Sequence, residues 1–231
     1  MTKPAVTATT LVTEDGVPID AIHLPGGRDL AIVVAHGFTL SWQRPNVWRI
    51  ANRFNRTAGV FSFDFRGHGR SGGLSTLGDR EIRDLDVVVR WARELGYQRV
   101  AAVGFSMGAS IVLRYAGLVG GLDAVVPAAE AAAQISPVPL LIVHGDKDHY
   151  FPPEHARQLY MAAREPKDLW LMPDMGHAES ACGQELVDRI GRWIGQATSP
   201  ARPGARPGDD REGAGGTSPG EAAAATPNAA A

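Results

Sequence analysis

From Leu30 onward, short runs dense in valine, isoleucine and phenylalanine alternate with longer segments of helical period. The runs Leu30–Ala35, Val60–Phe65, Val100–Phe105, Ala124–Val126 and Leu140–His144 read as buried strands, and Val47–Asn55, Gly78–Leu95, Met107–Leu118 and Glu154–Ala163 as the helices between them. Upstream, two β-rich stretches between Thr7 and Leu24 flank Glu14-Asp15-Gly16, a turn sequence that predicts a hairpin. A short strand at Trp170–Met172 and a final helix at Glu185–Trp193 close the pattern. Hairpin first, then strand and helix in alternation, predicts an α/β fold with a mostly parallel, doubly wound sheet and helices on both faces. Ligands of such sheets sit at the carboxyl ends of the strands. The residues that stand there are His36-Gly37-Phe38, Asp64 with a glycine-rich loop, Ser106, and Asp146 with Asp148.

Composition narrows the picture. With 231 residues, 44% hydrophobic and 21% charged, the chain suits one domain with a full core, expected over residues 1–197. Residues 198–231 are rich in Pro, Gly, Ala and Ser and are expected to be a disordered tail. A net charge of -2 provides no broad positive field, so neither nucleic acid nor an anionic membrane surface is an expected partner. Cys182 is the single cysteine, which excludes an intramolecular disulfide and a multi-thiolate metal site; its simplest role is as a small filler in a helix or loop. No leader-like apolar region and no membrane-spanning run are visible, so the expectation is a cytoplasmic protein without integral membrane association. The five tryptophans are scattered, which suits core packing better than an aromatic binding platform.

The pattern G-x-S-x-G occurs twice, around Ser71 and around Ser106, so the pattern alone selects neither. A nucleophile elbow needs a buried strand, a sharp turn and an immediate helix. Only Ser106 has that context, with Arg99–Val103 before it and Ala109–Tyr115 after it. Ser71 lies in a glycine-rich loop where no helix can start at once. A helix beginning at Met107 aims its unpaired N–H groups at the space where an acyl oxygen would become negative, making Met107 N–H one oxyanion donor. Phe38 N–H, on the His36-Gly37-Phe38 turn at the same sheet edge, is the candidate for the second.

Seven histidines compete for the role of general base. His177 stands apart: it follows Gly176 in a loop between a strand and the last helix, free to swing over the strand ends. For the acid that orients it, Asp146 and Asp148 both follow the strand at Leu140–His144. The nearer one more commonly caps the turn, whereas the later one can project sideways to an imidazole.

Taken in order, His36-Gly37-Phe38, Asp64-Phe65-Arg66-Gly67-His68-Gly69-Arg70-Ser71, Gly104-Phe105-Ser106-Met107-Gly108, His144-Gly145-Asp146-Lys147-Asp148 and Gly176-His177 resemble the α/β-hydrolase superfamily over roughly Thr7 to Ala197. The resemblance implies Ser106 as nucleophile, Asp148 as acid, His177 as base, and Phe38 and Met107 as backbone oxyanion donors. It also implies that Asp64 and His68 are structural loop residues and not metal ligands. One departure stands out: many relatives carry a helical lid before the acid-bearing strand, whereas Pro127–Val138 is too short for one of usual size.

The expected function is therefore a serine hydrolase that cleaves small, short-chain carboxylic esters through an acyl-enzyme on Ser106, with a small-molecule ester as partner and no cofactor or metal. Two alternatives share the scaffold. One is a thioesterase or acyltransferase with the same three residues; the other is a catalytically silent ligand-binding protein.

Overall fold

The computed structural model describes residues 5–27, 29–127 and 136–200. Strands β1 (Thr7–Val12) and β2 (Pro18–Leu24) form the antiparallel hairpin, joined through Thr13–Val17. Then follow β3 (Leu30–Ala35), α1 (Pro45–Phe54), β4 (Gly59–Phe63), α2 (Glu81–Glu94), β5 (Arg99–Gly104) and α3 (Met107–Leu118). The last elements are β6 (Ala124–Pro127), β7 (Leu140–Gly145), α4 (Pro153–Ala162), β8 (Lys167–Met172), α5 (Ala178–Ala181) and α6 (Gln184–Ala197).

The eight strands make one sheet in the order β1-β2-β4-β3-β5-β6-β7-β8. β2 pairs with β4 antiparallel, and every pairing from β4 through β8 is parallel. Alternation along the strands divides the core into two layers. Ala31, Val33 and Ala35 of β3 face the layer built from α2, α3 and α4; Leu30, Ile32 and Val34 face the layer of α1, α5 and α6. With helices on both sides, every residue of β3, β4 and β7 is buried, which is why these runs carry apolar side chains on both faces. The helices show the complementary pattern: α1 buries Val47, Ile50, Ala51 and Phe54 at spacings of three and four, and begins with proline at its first position, where no N–H is needed.

Several boundaries differ from the sequence expectation, among them β8, which starts at Lys167 and not at Trp170, and α6, which ends at Ala197 and not at Trp193; two others have local reasons. Helix α2 starts at Glu81 and not at Gly78, because the buried Glu81 carboxylate collects the N–H groups of Thr76 and Gly78 and the hydroxyls of Ser75 and Thr76. Those bonds fix a turn that helical geometry would break. Strand β4 ends at Phe63: Asp64 N–H still bonds Asp20 O, opposite it on β2, but Phe65 N–H turns away to His36 Nε2. All five tryptophans are only half-buried and pack at the margins of the two layers.

Only residues 128–139 separate β6 from β7, so no lid of usual size is inserted there; residues 128–135 themselves lie outside the described residues. At the carboxyl-terminal end, Thr198 caps α6, donating its hydroxyl proton to Ile194 O at 2.9 Å and accepting from Arg99 at 3.0 Å. The compact unit closes at Ser199, and most of the extension expected to be disordered lies outside the described residues. Among the described residues no helix is long and apolar enough to cross a membrane.

Candidate active site

Strand β5 runs through Phe105 into α3 with a single residue, Ser106, at the bend. Its backbone has φ 50° and ψ -118°, a conformation that L-residues rarely adopt outside functional sites. The bend closes only because two glycines flank it. A Cβ on Gly104 would lie 2.4 Å from Gly108 O, and one on Gly108 would lie 2.4 Å from Ala35 O, so neither position has room for a side chain. Sequence spacing, tight turn and backbone strain are thus one feature.

Helix α3 begins at Met107, whose N–H precedes the first intrahelical bond. The neighbouring strand β3 is followed directly by His36-Gly37-Phe38. Among the described residues neither Phe38 N–H nor Met107 N–H meets an acceptor. Gly37 is the close neighbour of the bend: a Cβ there would come within 3.3 Å of Ser106 Cβ.

His36 is fully buried and braces this loop. Its Nε2 accepts Phe65 N–H at 3.1 Å, so Nδ1 carries the proton and donates to Gly37 O at 2.7 Å. Burial lowers its pKa to about 4, a shift that the Gly37 carbonyl opposes and nearby His68 assists. The imidazole is neutral at pH 7.

The candidate base and acid, His177 and Asp148, lie in the second half of the chain. His177 precedes α5, and its Nδ1–H donates to Asp148 Oδ2 at 2.7 Å. The other oxygen of Asp148 accepts Tyr150 N–H at 2.8 Å and Phe151 N–H at 3.1 Å. Burial by itself would raise the Asp148 pKa, but the His177 bond and the two amides outweigh it and hold the carboxyl below its usual range. The structure brings Asp148, and not Asp146, to the imidazole; Asp146 is exposed, with its own N–H on Met172 O. The geometric reason differs from the one the sequence suggested, because a single residue both caps the turn and meets the histidine. No hydrogen bond joins Ser106 Oγ to the His177 ring among the described residues.

The remaining candidates have structural duties. Ser71 Oγ donates to Asp64 O and accepts Asp20 N–H at 2.9 Å, tying the glycine-rich loop to β2. Asp64 is buried, which raises its pKa, and its carboxylate takes the N–H groups of Trp42 at 2.7 Å and Arg70 at 3.0 Å. His68 donates from Nδ1 to Arg66 O at 3.0 Å. Arg66 itself is buried between Asp84 and Asp15, linking loop, α2 and hairpin. Among the described residues no group of three or more His, Cys, Asp or Glu side chains is arranged to hold a metal ion. Cys182 is buried and its thiol is pushed up to about 12 by desolvation, so it is no nucleophile.

Neither α5 nor the role of Glu179 within it was visible in the residue pattern. Glu179 is 3% exposed, and its Oε1 accepts Gly37 N–H at 3.1 Å. A four-residue helix has too little period to be read from a pattern.

Comparison with known proteins agrees with this geometry. Residues 31–129 match the family model described as the alpha/beta hydrolase fold. The uncharacterized protein YfhR of Escherichia coli (strain K12) is 30% identical, over 72% of this chain and 72% of its own length. Among solved structures, the Pyrococcus furiosus esterase Pf2001 superposes with a TM-score of 0.74 at 24% identity, over 84% of this chain and 93% of that one. XC6422 from Xanthomonas campestris, titled a serine hydrolase without lid, gives 0.69 at 23% identity, over 86% and 97%. With the elbow after β5, the sheet order and these matches together, the chain belongs to the α/β-hydrolase family.

Proposed function

We propose that this protein is a serine hydrolase acting on small, short-chain carboxylic esters, with Ser106, His177 and Asp148 as its catalytic residues. The observation that carries the reading is the strained Ser106 bend: φ 50° at the mouth of α3, beside two N–H groups that meet no acceptor among the described residues. Strain at a single serine, held by glycines with no room for substitution, has a purpose if the hydroxyl must be presented to a ligand.

In this mechanism His177 Nε2 accepts the Ser106 proton as Oγ attacks the ester carbonyl carbon. Asp148 fixes the imidazole tautomer through Nδ1–H and stabilises the imidazolium that forms. Phe38 N–H and Met107 N–H stabilise the tetrahedral oxyanion. The imidazolium returns the proton to the departing alkoxide, leaving an acyl group on Ser106. Water then attacks that ester, again with His177 as base, and releases the acid and free serine.

A short acyl group is favoured by the openness of the site. No lid-sized insertion stands between β6 and β7, and Phe38 and Tyr150 are 49% and 75% exposed. The cavity behind the strand ends, lined by Val103, Val126, Val143 and Met175, is small, about 20 Å³. The relatives titled esterase and lidless serine hydrolase lend this reading support. A single buried cysteine requires no oxidising compartment, which fits work in the cytoplasm.

The test is covalent labelling. A fluorophosphonate probe is expected to modify the wild-type protein and not Ser106→Ala, and p-nitrophenyl acetate is expected to turn over faster than long-chain esters. Equal labelling of the two proteins would overturn the serine assignment. Faster turnover of an acyl-thioester, or of an ester when alcohol is added, would redirect the function to thioesterase or acyltransferase. Ligand retention without any turnover would leave a binding protein.

A further inference from the structure

Glu179 is a buried carboxylate that the mechanism above leaves without a task. It lies two residues after His177, in α5, and reaches across 142 positions of sequence to accept Gly37 N–H at 3.1 Å. Burying a carboxylate is costly unless its partners compensate, so its location calls for a reason.

The reason lies in what Gly37 must do. Gly37 contributes the carbonyl and Phe38 the N–H of one peptide unit, and that unit is planar and trans. Holding Gly37 O therefore sets the direction of Phe38 N–H, and His36 Nδ1–H and Leu40 N–H both donate to that oxygen, at 2.7 and 3.3 Å. The preceding peptide unit ends in Gly37 N–H, the group held by Glu179. Between the two units stands a glycine, whose φ and ψ are the least restricted in the chain. With one unit fixed and the other free, the residue would turn. A larger residue cannot supply the stiffness, because a Cβ at position 37 would lie 2.8 Å from Glu179 Oε1 and 3.3 Å from Ser106 Cβ.

Resting on the reading of the site given above, we propose that Glu179 is a positioning residue that locks the oxyanion loop to the base loop. Its carboxylate holds Gly37 so that Phe38 N–H keeps its aim. Because α5 starts directly after His177, the same short helix sets base and oxyanion donor relative to each other. Glu179 touches neither substrate nor the reacting atoms in this scheme.

Glu179→Gln and Glu179→Met separate this role from simple space filling, since both side chains match the volume but only glutamine keeps an acceptor for Gly37 N–H. Expected is a kcat for p-nitrophenyl acetate within about 3-fold of wild type for Gln and lower by about 10- to 100-fold for Met, with KM changed less than about 3-fold in both. A tetrahedral boronate inhibitor should weaken by the same factor as kcat/KM falls. Hydrogen exchange at the Gly37 amide, which needs no turnover, should be fast in Glu179→Met and slow in wild type and Glu179→Gln. Equal kcat in Gln and Met variants, or an equal fall in both, would overturn the inference. If Glu179→Met does not fold, Glu179→Ala takes its place, with the same comparison to Gln. A wild-type protein that takes no fluorophosphonate and turns over no ester would bring down the reading of the site and this inference with it, an outcome distinct from a working enzyme indifferent to residue 179.

Discussion

Asp148 divides its carboxylate between two tasks: Oδ2 receives His177 Nδ1–H at 2.7 Å, while Oδ1 receives the Tyr150 and Phe151 amides at 2.8 and 3.1 Å. The turn that follows β7 and the orientation of the imidazole are therefore fixed by one side chain, 4% exposed. Three bonds to one ionised group also explain why its pKa stays low despite burial.

Asp148→Asn is expected to lower kcat by about 10⁴, because an amide that donates to Nδ1 turns the histidine to the wrong tautomer, while KM changes little. Asp146→Asn serves as the control. Asp146 is exposed and bonds through its backbone, so its kcat should stay within about 2-fold. Steady-state kinetics on p-nitrophenyl acetate decide the matter, and a similar loss in both variants would remove Asp148 from its role.

The two serines of the repeated motif should separate cleanly. Ser71→Ala removes a hydroxyl that both donates to Asp64 O and accepts Asp20 N–H, leaving partly buried groups unpaired. Its cost is expected to be about 1–3 kcal/mol of stability in urea unfolding, with fluorophosphonate labelling of the folded protein unchanged. Lost labelling at full stability would make Ser71 the functional serine.

His36 makes stability depend on pH in a defined direction. Its folded pKa of about 4 lies below the ordinary value of 6.5 because burial, with help from His68, disfavours the charged ring. Between these values the unfolded chain binds a proton that the folded one does not, so stability is complete above pH 6.5 and falls as pH drops towards 4. One group shifted this far contributes a loss of about 3 kcal/mol across the window, at about 1.4 kcal/mol per unit. His23, also lowered by burial, acts in the same direction. Urea midpoints at pH 7 and pH 5 should differ less in His36→Gln than in wild type, whatever the variant's stability at pH 7; an unchanged pH slope would contradict the assignment.

Much of this was legible in one dimension because its causes are local. A strand buried on both faces must be apolar throughout, and α1 must repeat its apolar residues at three and four, so the run of parallel strands and the helices between them could be read from side-chain pattern alone. The bend at Ser106 was legible for the same reason: strand, turn and helix are contiguous, and Gly104 and Gly108 are the residues such a turn demands. What joins segments far apart in sequence was not. Asp148 and Asp146 differ by two positions; the resemblance already implied Asp148, but the physical reason, the packing of the loop after β7 against the loop before α5, exists only in the tertiary structure. Glu179 carried no signal at all, since its acceptor role exists only when α5 rests on the end of β3. Periodicity and turn chemistry act over a few residues and are written in order along the chain, whereas a hydrogen bond across 142 positions depends on where the whole sheet brings its edges together.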